Sequence, residues 1–278
     1  LASTSPDLGF AHRGYQYQDL VTAYFLGLAL IYRYGSVTVD KKSFQDDRFD
    51  DLAIHASSGR IRRQIKFSEQ QGRQLQVEDL STDRKDLRID TLIRSYKFDR
   101  TGAADEYRLC ATWSSPTDST LLNMLDIAVA EPSFENHPTK LYRLRTDIVW
   151  PPKGVPVFRA LRNAADISRQ DFADFANRFV IELECPSASR DFSDPGPLEL
   201  LLISLLVNRI GIGRYPNENR NVVDLAARLV HRAGSARSAG EVIEPLTIES
   251  YLQLQKEPLV HDGSTTKIIR VQSEGFLL

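Results

Sequence analysis

The stretch YQDLVTAYFLGLALIY, from Tyr17 to Tyr32, constrains the fold more than any other. Leu20, Val21, Tyr24, Phe25, Leu28 and Ala29 recur at three- and four-residue spacing, the period of an α-helix with a broad buried face. Tyr34 and Gly35 end it. Val37 and Val39 then alternate with Thr38 and Asp40, the period of a short strand. A polar connector, KKSFQDDRFD, leads into Leu52-Ala53-Ile54, and Ser57-Ser58-Gly59-Arg60 is turn chemistry. Ile61 and Ile65 lie on a return strand, RIRRQIKF. The expected order is helix, strand, then a two-stranded hairpin.

Further on, Leu87 to Phe98 reads as a surface helix and Tyr107 to Trp113 as a buried strand. Thr120 to Val129 and Phe158 to Phe175 read as helical, and Phe179 to Glu184 alternates like a strand. Strands mixed with helices argue for an α/β core. Asp191 to Pro197 (DFSDPGP) has linker composition. Beyond it, Leu198, Leu201, Leu202, Leu205 and Leu206 mark one helix. Val222, Val223, Leu225, Leu229 and Val230 mark a second, with the loop GIGRYPNENR between. The expected organisation is a core over residues 1–190 and a helical C-terminal extension over 191–278.

Composition excludes several classes. At 278 residues, 42% hydrophobic and 26% charged, the chain has an ordinary globular balance. No apolar run approaches the ~20 residues needed to span a bilayer, and no secretory signal opens the chain. Cys110 and Cys185, with no CxxC spacing, make neither a zinc site nor a disulfide framework, which fits a reducing cytoplasm. His12, His55, His137, His231 and His261 are scattered without metal-ligand spacing, and Trp113 and Trp150 read as core. There is no GxxxxGK[ST], no GxSxG and no nucleophilic cysteine with a matching histidine. The chain begins without Met and ends Gly275-Phe276-Leu277-Leu278, so it is expected to be a portion of something longer. A net charge of −2 says little about partners, but a nucleic-acid-binding chain of this charge needs a local basic stripe.

The chemistry concentrates between Asp51 and Lys66. Gln64 and Lys66, two apart on a strand, share a face, with Ile65 turned to the core. A tight hairpin brings Asp51 beside them, assembling a carboxylate, an amide oxygen and an ammonium. Phosphodiester hydrolysis uses those parts. Mg²⁺ takes one or two carboxylates and keeps several waters; Asp51, the carbonyl of Gln64 and the backbone carbonyl of Ile65 are the candidate ligands. Lys66 is placed to orient water or to stabilise transition-state charge. Asp50 competes with Asp51 as ligand. Asp51 is favoured because Leu52 and Ile54 define the core face and Asp51 shares the other with Ala53.

Asp51…Gln64-x-Lys66 resembles the PD-(D/E)xK nuclease signature, with Gln in place of the second acidic residue and Phe49-Asp50-Asp51 in place of the PD dipeptide. GFAHRGYQYQDL (Gly9 to Leu20), VTVD (Val37 to Asp40), DDLAI (Asp50 to Ile54) and RQIK (Arg63 to Lys66) resemble the nuclease domain of anti-phage double-stranded DNA endonucleases. Those are effectors found with cyclic-oligonucleotide signalling, with relatives in Lamassu, AVAST and HerA-partnered defence systems. The resemblance is specific over residues 9 to 68 and weaker through about residue 255. It implies a restriction-endonuclease-like central mixed sheet flanked by helices. It makes Asp51 and Lys66 catalytic and Gln64 a metal-side ligand for Mg²⁺ or Mn²⁺. It also places Gln18 near the metal, with Asp40 able to compensate for the charge lost at Gln64.

Arg60, Arg62, Arg63 and Arg73 concentrate positive charge beside this centre, and phosphate contact is the expected role. The run Arg84, Lys85, Arg88, Arg94, Lys97 and Arg100 is interleaved with Asp83, Asp86 and Asp90 and reads as a helix face laced with ion pairs. The expected function is a cytoplasmic, Mg²⁺-dependent double-stranded DNA endonuclease working in anti-phage defence. It is expected to be homo-oligomeric and to be switched on by a sensor or ATPase partner or a fused domain. A catalytically inactive assembly or DNA-binding module stands as the alternative, and an RNase or single-strand nuclease on the same scaffold remains open.

Overall fold

The computed structural model describes residues 6–32, 35–56, 59–70, 72–81, 87–99, 104–149, 164, 166–209 and 222–252. Helix α1 (Pro6–Tyr32) opens the chain, followed by β1 (Ser36–Val39) and the hairpin strands β2 (Leu52–Ala56) and β3 (Gly59–Lys66). Helices α2 (Val77–Ser81) and α3 (Ile89–Asp99) lead to β4 (Glu106–Ala111). Then come α4 (Ser119–Leu122), β5 (Leu125–Ile127), β6 (Lys140–Leu144) and α5 (Thr146–Val149). Helix α6 (Arg169–Arg178) runs directly into β7 (Phe179–Leu183). Helices α7 (Pro197–Arg209) and α8 (Val222–Ala239), the short strand β8 (Val242–Ile243) and α9 (Pro245–Leu252) complete it.

The strands form one mixed sheet in the order β5-β6-β7-β4-β3-β2-β1-β8. β3 pairs with β4, and β4 with β7, in parallel; the other pairs are antiparallel. The parallel strands occupy the centre, where both faces are covered, and β7 is accordingly buried along its whole length. Their carboxyl ends, at Lys66, Ala111 and Leu183, lie on one edge, the edge at which α/β sheets bind ligands.

Period-two alternation sends side chains into two cores. On one face Val37, Val39, Leu52, Ile54, Ile65 and Cys110 pack with α1, α7, α8 and α9. On the other, Tyr107, Leu109, Ala111, Phe179, Ile181 and Leu183 pack with α2, α3 and α6. Helix α1 is buried almost continuously from Tyr17 to Leu30, because the sheet lies on one side of it and α7 and α8 on the other. A fully buried Leu or Phe contributes about 1.5–3 kcal/mol, so this helix anchors one layer. Gly27 permits the close approach of α7: a Cβ there would meet Leu205 at 3.0 Å.

The C-terminal helices are not set apart from the core. Leu198, Leu202, Leu225, Leu229 and Ile248 share a cluster with Tyr17, Leu20 and Ile65. Asp19 of α1 accepts two hydrogen bonds from Arg237 of α8, at 2.7 and 3.1 Å. β8 adds a strand beside β1. The linker-like segment before α7 is itself tied down, with Ser189 donating to Glu199.

Two expected elements differ. Thr120 to Val129 is not one helix: α4, capped by Asp118 accepting from Leu121 N–H at 2.9 Å, stops at Leu122, and β5 follows. The pairing of Leu125 with Leu144 on β6, a strand not foreseen, overrides local helix preference. Helix α6 starts at Arg169, where Ser168 and Asp171 form a reciprocal capping box; residues 150–163 and 165 lie outside the described residues. So do Ser57, Ser58, Trp150, His261, the loop 210–221 and the C-terminus. No helix among the described residues is long and apolar enough to cross a membrane.

Candidate active site

The site arises where β2 and β3 part. They stay paired from Ala56↔Gly59 to Leu52↔Arg63. β3 then continues through Gln64, Ile65 and Lys66, held on its other side by β4. The chain before Leu52 turns instead toward β1: Asp40 N–H donates to the Asp51 carbonyl at 3.1 Å and Lys41 N–H to the Asp50 carbonyl at 3.2 Å. Asp40 makes this turn with a left-handed backbone, φ 43°, a conformation Asp tolerates better than most residues. The gap opened beside β3 is filled by a side chain. Asp51 Oδ2 accepts from the backbone N–H of Ile65 at 2.6 Å and from Gln64 Nε2 at 2.6 Å.

Ile65 points into the core beneath α1, so alternation places Gln64 and Lys66 on the other face. Burial raises the Asp51 carboxyl to about 7. The Lys66 ammonium and the Ile65 N–H pull the other way, and Asp50 and Asp40 add to the rise. Asp50 is also raised by burial, with Asp47 and Asp40 adding and Lys42, at 4.0 Å, opposing. Asp40 is raised by burial against the attraction of Arg237 and Lys42. Three aspartates thus share one poorly solvated region, and a cation there would be electrostatically favoured. Of the adjacent pair, it is Asp51 that meets Gln64; Asp50 lies beside a small cavity shared with Lys41, His55 and Arg62.

Among the described residues no three His, Cys, Asp or Glu side chains are grouped to hold a metal. The site offers one carboxylate, from Asp51, with the amide oxygen of Gln64 and the carbonyl of Ile65. Gln64 turns its nitrogen to Asp51, and rotating the amide end for end presents its oxygen without changing shape. Such a set of hard oxygens fits Mg²⁺ or Mn²⁺, which keep much of their water, better than Zn²⁺, which favours nitrogen and sulfur. Gln18 is buried on α1, 7% exposed, and its nitrogen has no hydrogen-bond partner among the described residues. It is not hydrogen-bonded to the Asp51–Gln64 pair.

The four arginines expected to face phosphate are mostly engaged with the protein. Arg62 is buried, bridged to Asp47 and, at 3.1 Å, to Asp99. Arg63 is buried on the opposite face, its guanidinium 4.5 Å from the Phe25 ring centroid. Arg60 pairs with Asp99. Arg73 lies over Trp113 and pairs with Asp79 at 2.8 Å. Of the interleaved run around α3, Arg88 and Arg94 pair with Asp90, and Lys97 reaches Asp171 of α6; residues 83–86 and Arg100 lie outside the described residues.

Other cations gather just past Lys66. Tyr17 stacks on Phe67, ring centroids 4.9 Å apart, and Arg190 lies over the same ring at 5.9 Å. Arg13 and Arg190 both pair with Glu69, at 3.0 and 3.2 Å. Nothing near Lys66 in sequence signals this group. Arg13 arrives on α1 and Arg190 on the turn after β7, so only the folded topology brings them together. A scan against known family models and a search of curated proteins find no match to the chain.

Proposed function

We propose that this chain is a divalent-cation-dependent endonuclease of the PD-(D/E)xK kind, on a restriction-endonuclease-like core, that hydrolyses double-stranded DNA. The observation that carries this is the meeting of Asp51, Gln64 and Lys66 at the divergence of β2 and β3, on the carboxyl edge of the parallel strands. Asp51, Gln64 and the Ile65 carbonyl would hold a Mg²⁺ or Mn²⁺ ion. When bound, such an ion supplies Lewis acidity toward the scissile phosphate and lowers the pKa of water.

The chain's own groups have distinct tasks. The Ile65 N–H orients Asp51, since Ile65 is fixed within β3 and Asp51 immediately precedes β2. Lys66 holds positive charge next to Asp51, where it can orient the attacking water or stabilise the oxygens of the phosphorane-like transition state. Arg13 and Arg190, each paired with Glu69 near the surface, can exchange that carboxylate for backbone phosphates, because exposed ion pairs are worth only about 0–1 kcal/mol. Arg60 and Arg73 retain partial exposure and can extend this contact. Arg62 is given a structural task, held between Asp47 and Asp99. The role is that of a defence effector activated by oligomerisation or by a sensor or ATPase partner, as the resemblance over residues 9 to 68 suggests.

A second reading, a fold that has lost its chemistry, is favoured by one observation: Gln64 presents an N–H to Asp51 where a second carboxylate would repel it. Isothermal titration separates the two. Mn²⁺ and Mg²⁺ should bind the wild-type chain and not Asp51→Ala. Cutting duplex DNA in preference to single strands or RNA under the same conditions identifies the substrate; no cation binding by the assembled protein would leave the inactive module as the better description.

A further inference from the structure

We propose that the cavity beneath α1, at the end of the sheet remote from Lys66, binds a small zwitterion. The ligand would have an apolar body, a carboxylate held by Arg63 and an amino group toward Glu131 and Glu135. This does not depend on nuclease activity. The cavity has a volume of 410 Å³, within the range of small-molecule sites. Phe25, Leu28, Ile54 and Ile61 give it an apolar wall, and Arg63 forms part of its lining.

Two arginines stand side by side here on β3 and β4, Arg63 opposite Arg108. Arg108 is saturated, donating to Glu106 at 2.8 Å, Glu182 at 3.0 Å, Ser133 at 2.9 Å and the Glu131 carbonyl at 2.8 Å. Arg63 is only 4% exposed, yet its Nε and Nη1 have no hydrogen-bond partner among the described residues. Burial and the neighbouring Arg108 push its pKa down, but a guanidinium does not give up its proton in a protein. A buried, charged group needs a partner, and Glu182 and Glu106, the carboxylates that partly offset its charge, are held by Arg108. Asp105 accepts from the Arg60 N–H at 2.9 Å and Glu135 from the Tyr32 hydroxyl at 2.7 Å. Arg63 lines the cavity, so an acceptor seated there would lie against its side chain.

The charge of the surroundings selects the ligand. A guanidinium fork matches a carboxylate or a phosphate. Asp105, Glu106, Glu131 and Glu135 also border the cavity, so a dianion is repelled and a monoanion with its own amino group is favoured. The ring of Phe25 beneath Arg63 suits an apolar or aromatic body.

Titration calorimetry with the full chain tests this, using phenylalanine, hydrocinnamate, phenethylamine and inorganic phosphate. Phenylalanine should bind best and hydrocinnamate more weakly, while phenethylamine and phosphate should not bind. Arg63→Met should weaken phenylalanine about tenfold or more in a protein that melts no lower than wild type, because an unpaired buried charge has been removed. Glu131→Gln, at an exposed position, should weaken phenylalanine but not hydrocinnamate. Should Arg63→Met fail to fold, Ile61→Trp, which fills the cavity from a partly exposed position, must abolish binding. Wild-type protein that ignores both carboxylates at millimolar concentration, or unchanged affinity in folded Arg63→Met, overturns the site. Phosphate binding in place of the carboxylates overturns the ligand class.

Discussion

Asp51 is pulled in two directions. Hydrogen bonds from Ile65 and Gln64 and the charge of Lys66 favour its ionised form, yet burial wins and holds it up to about 7. In the unfolded chain its value is near 3.8. Between about pH 4 and pH 7 the folded state keeps a proton that the unfolded state has lost, so this group's contribution to stability falls as pH rises and levels off above about 7. Asp51→Asn keeps the shape and can still accept from Ile65. In EDTA it should melt close to wild type at pH 5 and clearly above it at pH 8, by more than about 1 kcal/mol at roughly 1.4 kcal/mol per pKa unit. Equal stability at both pH values would show that Asp51 is not desolvated. The placement of Asp51, Gln64 and Lys66 was legible in the sequence because two-residue alternation and a short hairpin are local rules. The fate of Arg62 and Arg63 was not, because their surroundings, Asp47, Asp99 and Phe25, come from distant segments.

At the level of elements, the connector between β1 and β2 delivers Asp50 and Asp51 to the sheet, and Asp47 organises it. Asp47 is 2% exposed and accepts from Ser43 N–H, Phe49 N–H, the Ser95 hydroxyl and Arg62. Removing it leaves the buried Arg62 with Asp99 as its one remaining carboxylate among the described residues and orphans the Ser43 and Phe49 N–H groups. Asp47→Ala should therefore cost about 3–5 kcal/mol in urea denaturation, whereas Asp46→Ala, at an exposed position, should stay within about 0.5 kcal/mol. Similar losses for both would mean that the connector is held by its backbone alone. Long periodic segments such as α1 and α8 announce themselves in sequence. β5, β6 and β8 do not; β5 and β8, of three and two residues, are too short to show a period and are defined by their partners, as Leu125 is by Leu144 and Ile243 by Val37.

Across the whole molecule, the segment after residue 190 is half of one layer. Leu202, Leu205 and Leu206 close over α1, Arg237 grips Asp19, and β8 extends the sheet beside β1. The Pro- and Gly-marked boundary reads in sequence as the start of a helical extension, and in the fold the apolar faces on both sides of it share one core. A chain ending at residue 195 should lose cooperative thermal unfolding and bind a hydrophobic dye, because α1 would be bare on one side. A cooperative, dye-silent transition would instead make the C-terminal helices a true appendage. The proposed function rests on the chemistry at the split of β2 and β3. The most direct measurement is cleavage of supercoiled plasmid in Mg²⁺ and in Mn²⁺, comparing the wild-type chain with Asp51→Ala and Lys66→Ala. Cation-dependent nicking and linearisation by the wild type, lost in both variants while each stays folded, is the predicted result. Cutting that survives both substitutions would contradict the assignment of the site.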